Sequence, residues 1–139
     1  MKTKTPYDIY QKRLDKEISC RASFMNDTKW HKLFEELSVC RFSINGSKIK
    51  FLLEDKIYDF SIGYIGENYM DTIFGVFSFK EIEWIFIPRK FEIERFNRQE
   101  KLTSQYKENP IDEIEEAMSN LAQFCYEKDK NGLKIYGYK

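Results

Sequence analysis

The sequence predicts a single α+β domain over residues 1–139, with an antiparallel sheet of about five to six strands, two N-terminal helices and one later helix packed on it. Two observations lead to this fold class. Apolar residues in the first 38 positions recur every three or four residues, the period of a helix, whereas from Val39 they alternate with polar residues, the period of a strand. A length of 139 residues suits one domain with its own core, since a chain near 150 residues buries roughly 68 to 70% of its unfolded surface.

Both N-terminal helices begin with a start signal that is followed by an apolar stripe. Thr5 can cap the first helix and Pro6 suits its first turn. The stripe of this helix, which fades by Cys20, consists of Tyr7, Tyr10, Leu14 and Ile18. The second helix starts at residues 26–28, and its stripe at i, i+3, i+4 and i+7 consists of Trp30, Leu33, Phe34 and Leu37. We expect these stripes to face the core.

A hairpin is predicted around Asn45 and Gly46, a residue pair that favours a two-residue type I′ turn. Such a turn would pair residues 40–44 with residues 47–51. The apolar partners would then share one side of the hairpin, with Ile44 opposite Ser47, Phe42 opposite Ile49 and Cys40 opposite Phe51. The opposite side would be basic.

The middle of the chain predicts three further strands. Tyr58, Phe60, Ile62 and Tyr64 alternate along the first of them, and residues 66–71 break the alternation and predict an exposed connection. Residues 84–87 are apolar on both faces, which is typical of a central strand covered on two sides, and Pro88 ends it. Residues 91–95 predict an edge strand. Residues 96–109 have no clean period and are interpreted as loop or irregular helix.

The last part of the chain predicts a helix and a hairpin. Asn109 and Pro110 start the helix, which has acidic residues in its first turn. Its apolar face consists of Ile111, Ile114, Met118 and Leu121. Asn131 and Gly132 then predict a tight turn before a closing strand over residues 133–138.

Charge and hydropathy weigh against several classes of protein. The chain has 23 Lys plus Arg and 23 Asp plus Glu, so zero net charge disfavours a generally basic nucleic-acid binder. It has no apolar run of about 18 residues, so no membrane span is predicted. No apolar stretch follows the first lysines, which predicts a cytoplasmic location. Cys20, Cys40 and Cys125 are an odd set without CxxC spacing and are interpreted as buried free thiols.

No catalytic set is recognisable, so the sequence favours a protein that is not an enzyme, with no metal and no cofactor. His31 is the single histidine, and any Ser-His-Asp or Cys-His scheme would have to use it, yet its place on the second helix indicates a boundary position. The pairs of acids, such as Glu81 with Glu83, are interpreted as solvated strand faces. An enzyme of unrecognised type is kept as an alternative.

Two surfaces are candidates for binding. An aromatic and acidic stretch combines the residue types that protein interfaces use, and its predicted partner-binding residues are Tyr64, Glu67, Asn68, Tyr69 and Asp71. The alternative is a nucleic-acid face on the basic side of the first hairpin, made of Arg41, Lys48 and Lys50, since aromatic residues on a sheet can stack on bases.

Three segments resemble a family of small uncharacterised bacterial proteins. They are residues 25–30 (MNDTKW), residues 79–85 (FKEIEWI) with Pro88, and residues 133–138 (LKIYGY). The resemblance implies no known reaction. Comparable small α+β proteins of the bacterial cytoplasm are often immunity proteins that neutralise a cognate toxin, and this analogy is one of size and class alone. The sequence therefore predicts a non-catalytic protein-binding module, with an immunity protein as the specific hypothesis and an RNA-binding or other nucleic-acid-binding domain as the alternative.

Overall fold

Helices and antiparallel sheets make up the parts of the chain that the computed structural model describes, residues 5–38, 44–93 and 105–139. The helices are α1 (Pro6–Ser19), α2 (Asp27–Ser38) and α3 (Ile111–Leu121). The strands are β1 (Lys48–Phe51), β2 (Ile57–Asp59), β3 (Tyr64–Ile65), β4 (Tyr69–Thr72), β5 (Gly75–Ser78), β6 (Ile82–Pro88), β7 (Lys90–Ile93), β8 (Gln105–Glu108), β9 (Tyr126–Lys128) and β10 (Gly132–Tyr136). Every pairing between these strands is antiparallel, which confirms the predicted α+β class.

The large sheet has five strands in the order β2-β1-β6-β10-β9. β6 is its central strand, as the apolar run at residues 84–87 predicts, and it pairs with β1 on one side and β10 on the other. The side chains of Ile85 and Ile87 face the core and are fully buried. Trp84 and Phe86 alternate with them and are half-buried, so the prediction that both faces of this strand are covered is wrong for the second face.

The hairpin predicted around Asn45 and Gly46 is wrong in its strand pairing. Ile49 of β1 lies opposite Tyr58 of β2 on one side and opposite Ile85 of β6 on the other, so both edges of β1 are used. The turn itself is present, with the Ser47 amide donating to the Ile44 carbonyl at 3.3 Å. Gly46 has a φ of 75°, but no non-glycine residue of the described ranges has a positive φ, which excludes type I′. Residues 39–43, including Cys40, Arg41 and Phe42, lie outside the described residues.

The core lies between α2, α3 and one face of the large sheet. All four residues of the predicted α2 stripe are buried, as are Ile111, Ile114 and Met118 of α3. The ring of Phe34 is stacked on that of Trp30 at 5.4 Å between centroids, and it also contacts Phe60 at 5.8 Å and Phe79 at 5.4 Å. The second helix therefore supplies the aromatic centre of the core.

α1 packs on a smaller cluster formed by Leu14, Leu52 and Tyr138. Thr5 caps the helix as predicted, and the Asp8 amide donates to its Oγ1 at 3.2 Å. Leu14 is the buried residue of the predicted stripe, whereas Tyr7 is exposed, so the stripe faces the core only in part. The end of the chain runs beside the link from α1 to α2, since Ala22 and Lys139 exchange both backbone hydrogen bonds at 2.9 and 3.0 Å.

The described part of the chain also contains two smaller sheets. β3, β4 and β5 form a three-stranded sheet, where the sequence predicted one strand to Tyr64 followed by an exposed connection. The single strand is wrong, because residues 57–59 and 64–65 form separate strands in different sheets. The exposed connection is right for the turn at residues 67–68 and wrong for residues 69–71, which belong to β4. β7 agrees with the predicted edge strand, but it pairs with β8, which lies in the stretch interpreted as loop or irregular helix.

Lys128 links β9 to the first turns of α3. Its Nζ lies 2.8 Å from Oδ1 of Asp112 and 3.0 Å from Oε1 of Glu115. The hydrogen bond and the charge of this ammonium hold the pKa of both carboxyls below their ordinary values, and the hydrogen bond to Asp112 raises the pKa of Lys128. A carboxyl with a depressed pKa stabilises the fold above its unfolded pKa, and this contribution is lost as the pH falls through its folded pKa.

We expect Lys128→Met to raise the pKa of both carboxyls, measured by side-chain NMR titration below about pH 5. The pKa of Asp112 should come closer to its ordinary value than that of Glu115, because the nearby Tyr126 hydroxyl also lowers the pKa of Glu115. Lys130→Met, in the exposed turn after β9, is the control and should leave both values unchanged. Unmoved carboxyl titrations in Lys128→Met would contradict the ion pairs.

Candidate partner-binding surface

The three-stranded sheet presents one exposed face. Its register places Asp71 opposite Tyr64 on one side and opposite Val76 on the other, so these three side chains form a row on the same side of the sheet. The neighbouring row faces the core and consists of Ile65, Met70 and Phe77. The alternation that buries one row therefore exposes the other, and Tyr64 and Val76 are 67% and 65% exposed.

Tyr69 points to the same side as this row. Its ring centroid lies 6.3 Å from that of Tyr64, and the side chain is 38% exposed. Glu67 and Asn68 are exposed in the turn between β3 and β4, which is closed by a hydrogen bond from the Gly66 amide to the Tyr69 carbonyl at 2.8 Å. The five predicted partner-binding residues are thus brought together by a hairpin and the face beside it. We call Tyr64, Tyr69, Asp71 and Val76 the tyrosine face.

Two large apolar side chains form the turn between β4 and β5. Ile73 is 89% exposed and Phe74 is 78% exposed. The turn is stabilised by Thr72 and not by these two side chains. Thr72 Oγ1 donates to the Gly75 carbonyl at 2.9 Å and accepts from the Phe74 amide at 3.2 Å. Because a turn usually carries polar residues, isoleucine and phenylalanine here have no local structural role. We call Ile73 and Phe74 the hairpin tip, and sequence reasoning missed both.

His31 anchors the three-stranded sheet to α2. Its Nδ1 lies 2.7 Å from the Gly66 carbonyl oxygen, and its Nε2 lies 2.9 Å from Oε1 of Glu35. Both ring nitrogens therefore have a partner, and the half-buried ring has the boundary position that the sequence predicts. This arrangement suits positioning of the turn rather than proton transfer.

The predicted nucleic-acid face lies on the open side of the large sheet, and its lysines are paired with acids. Lys48 forms an ion pair with Asp59, and Lys50 Nζ lies 2.5 Å from Oε2 of Glu83. The other oxygen of Glu83 lies 2.7 Å from Nη1 of Arg21. The side chain of Glu83 is only 12% exposed, so the interpretation of this acid as part of a solvated face is wrong. Arg41 lies outside the described residues.

Aromatic residues share this open face of the large sheet. Trp84, Phe86 and Tyr136 are half-buried there. Lys134 Nζ lies 4.3 Å from the centroid of the Trp84 ring and 5.3 Å from that of Tyr136. The ammonium group therefore covers part of the ring surface on which a base would have to stack.

A model of a family of unknown function, DUF6678, matches residues 16–139. The chain belongs to this family. Comparisons with curated proteins and with solved structures find no match. The family match agrees with the resemblance to an uncharacterised family, and it begins inside α1. In this DUF6678 protein the tyrosine face, the hairpin tip and all three sheets lie within the matched residues.

The described ranges of the DUF6678 protein contain no group of three or more His, Cys, Asp or Glu side chains arranged to hold a metal ion. Within the same ranges no helix is long and apolar enough to cross a membrane. Cys20 and Cys125 are free, but Cys20 is exposed, so the prediction of buried thiols is wrong for that residue. Its position at the end of α1, beyond the apolar stripe, explains the exposure.

Proposed function

We propose that this DUF6678 protein is a non-catalytic binding protein whose protein partner docks on the tyrosine face and the hairpin tip. One observation carries the proposal. Four large apolar side chains that are 65% to 89% exposed, Tyr64, Ile73, Phe74 and Val76, belong to one small sheet and its turn. Contiguous exposed apolar surface costs solvation free energy and marks interaction sites in soluble proteins.

The polar residues of this surface indicate the character of the partner. Glu67 and Asp71 add two carboxylates beside the tyrosines, and ion pairs are absent at both among the described residues. Tyrosine contributes apolar area and a hydrogen-bonding hydroxyl, which suits the centre of an interface. A partner with an apolar patch and a basic rim would complement this surface.

The specific role that we propose is that of an immunity protein, which neutralises a cognate toxin by covering its surface without turnover. Such a protein would act in the cytoplasm of a bacterium and needs a docking surface rather than a catalytic centre. The size and class of the fold support the role by analogy. A nucleic-acid ligand on the open face of the large sheet is the second candidate, supported by Trp84, Phe86 and Tyr136 but disfavoured by the paired Lys48 and Lys50.

The double variant Ile73→Ser with Phe74→Ser tests the docking surface. The partner to use is the product of the adjacent upstream gene, co-expressed with this chain and measured by growth rescue and by titration. We expect saturation at a fixed stoichiometry for the wild type and at least a ten-fold weaker complex for the variant. The melting temperature should hardly change, because both side chains are exposed.

Tyr106→Ser is the matched control, since Tyr106 is also a large exposed side chain, at 65%, but belongs to a different sheet. It should bind like the wild type. Equal affinity of the tip variant and the wild type for the partner would contradict the proposed docking surface. Failure of the wild-type chain to rescue growth would contradict the immunity role. A nucleic-acid ligand would instead show binding that weakens steeply with salt.

A further inference from the structure

A cleft opens beside the hairpin tip, between α1, the edge of the large sheet and β5. Its volume is about 270 Å³. Phe51 and Phe77 form one wall and meet edge to face, with their ring centroids 5.0 Å apart. Phe74 and Val76 line the cleft as well, and both are exposed. The cleft is therefore continuous with the docking surface proposed above.

The polar side chains that line the cleft are carboxylates and hydroxyls. Glu54, Asp59 and Glu81 contribute three carboxylates, and the described residues that line the cleft include no lysine, arginine or histidine. Lys48 pairs with Asp59 from outside, which offsets one of these charges. A second lysine lies nearby, since Lys56 Nζ is 4.9 Å from the centroid of the Tyr58 ring. The lining itself holds two further carboxylates and no basic side chain among the described residues, so we expect it to favour a cation over an anion.

A tyrosine hydroxyl holds one of these carboxylates in place. Tyr10 donates to Oε1 of Glu81, whose Oε2 accepts from the Ser78 amide at 2.6 Å. Burial and the nearby Glu54 carboxylate raise the pKa of Tyr58, whose ring packs on that of Phe51 with centroids 6.0 Å apart. Burial and the hydrogen bond to Glu81 raise the pKa of Tyr10, so its hydroxyl stays a donor.

Size and walls together restrict what the cleft can hold. The volume lies at the lower end of the range for pockets that bind small molecules, roughly 300 to 1,000 Å³, and it has room for a single side chain or a small amine. Aromatic walls attract ammonium and guanidinium groups and also cover an aliphatic stem. Lysine and arginine side chains have both parts.

We infer that the cleft receives a lysine or arginine side chain of the partner that docks on the hairpin tip. The inference rests on the proposed function, since it takes the partner from there. The cation would lie between Glu54 and Glu81, and its stem would lie against Phe51 and Phe77. One residue of the basic rim expected on the partner would thus insert its side chain into the cleft.

The first test is an NMR titration of the protein with butylguanidinium, with neutral 1-pentanol and with anionic pentanoate. We expect saturable shifts at the amides of β5 with a Kd in the millimolar range for the cation, and at least ten-fold weaker binding of the other two. Glu54→Gln should raise the Kd of the cation about three- to ten-fold, because it removes one negative charge near the ligand. Glu116→Gln, on the exposed side of α3, is the control and should have no effect. Equal binding of the three probes, or no saturable shift, would overturn the inference.

The second test distinguishes a partner's side chain from a free amine. The peptide acetyl-Gly-Arg-Gly-amide should bind at least as tightly as butylguanidinium, with acetyl-Gly-Ala-Gly-amide as its control. Binding of butylguanidinium without the arginine peptide would overturn the assignment to a polypeptide side chain.

Failure of this inference can be told apart from failure of the proposed function. Ile73 does not line the cleft, so Ile73→Ser should weaken the partner complex and leave the Kd of butylguanidinium unchanged. Glu54→Gln should weaken both. A partner complex that resists Ile73→Ser and Phe74→Ser overturns the docking surface, whereas a cleft without cation preference overturns the inference alone.

Discussion

Replacing Phe34 by alanine should lower the free energy of unfolding by about 3–5 kcal/mol, the range found for buried phenylalanines. The side chain is fully buried, and its ring contacts those of Trp30, Phe60 and Phe79 at 5.4 to 5.8 Å between centroids. Its removal leaves a cavity between three rings, which lie on three different parts of the chain and cannot all move in to fill it. The melting temperature should fall by roughly 10–15 °C in a thermal scan, and urea unfolding gives the free energy.

Two further substitutions on α2 set the scale of this effect. Phe34→Leu keeps most of the apolar volume and should cost about 1–2 kcal/mol. Lys32→Ala changes an exposed position and should stay within about 0.5 kcal/mol of the wild type. If Phe34→Ala unfolded within 1 kcal/mol of the wild type, α2 would not centre the core.

Gly132→Ala should destabilise the protein by about 3 kcal/mol or more, for two physical reasons that add. Gly132 begins β10 with a φ of 152°, a conformation that L side chains rarely adopt. A Cβ there would lie 2.2 Å from the carbonyl oxygen of Ile87 in the paired strand β6. Because backbone atoms of the central strand cannot move aside cheaply, the strain and the clash must be absorbed by the pairing of β10 with β6.

Two other glycines separate the strain from the clash. Gly75 also has a positive φ, 131°, but a Cβ there meets nothing within 4 Å, so Gly75→Ala should cost only the strain, about 1–2 kcal/mol. Gly63 lacks the positive φ, but an added Cβ would lie 2.1 Å from the Asp71 carbonyl oxygen. The loss of stability in Gly63→Ala therefore measures the effect of a clash alone. Equal losses for Gly75→Ala and Gly132→Ala in urea unfolding would show that the clash at β6 contributes nothing.

Local patterns predicted the helices of this protein and the place of its central strand. The apolar period of α2 and the capping residues of α1 depend on neighbours within four positions, and the structure has both. The pairing of β1 depends on distant residues. β1 lies between β2 and β6, where Ile49 is opposite the fully buried Ile85, and this pairing is not encoded in the turn.

The candidate site was predictable in part. The five residues of the predicted partner-binding set were chosen by residue type, and strand pairing brings them together. Ile73 and Phe74 were missed because apolar residues between two strands suggest a core position, and only the two-residue turn exposes them. Glu54, Glu81 and Tyr10 meet across long stretches of chain, so no spacing in the sequence could predict the cleft.

β10 is the last strand of the large sheet to be synthesised, so the sheet can be completed only after the other strands have been made. β6 can pair with β1 soon after both are synthesised, but its other edge stays open until residues 132–136 have been made. That edge belongs to a strand with three fully buried isoleucines, Ile82, Ile85 and Ile87. Open edges of apolar strands recruit other chains, so we expect any chain that lacks β10 to aggregate through this edge of β6.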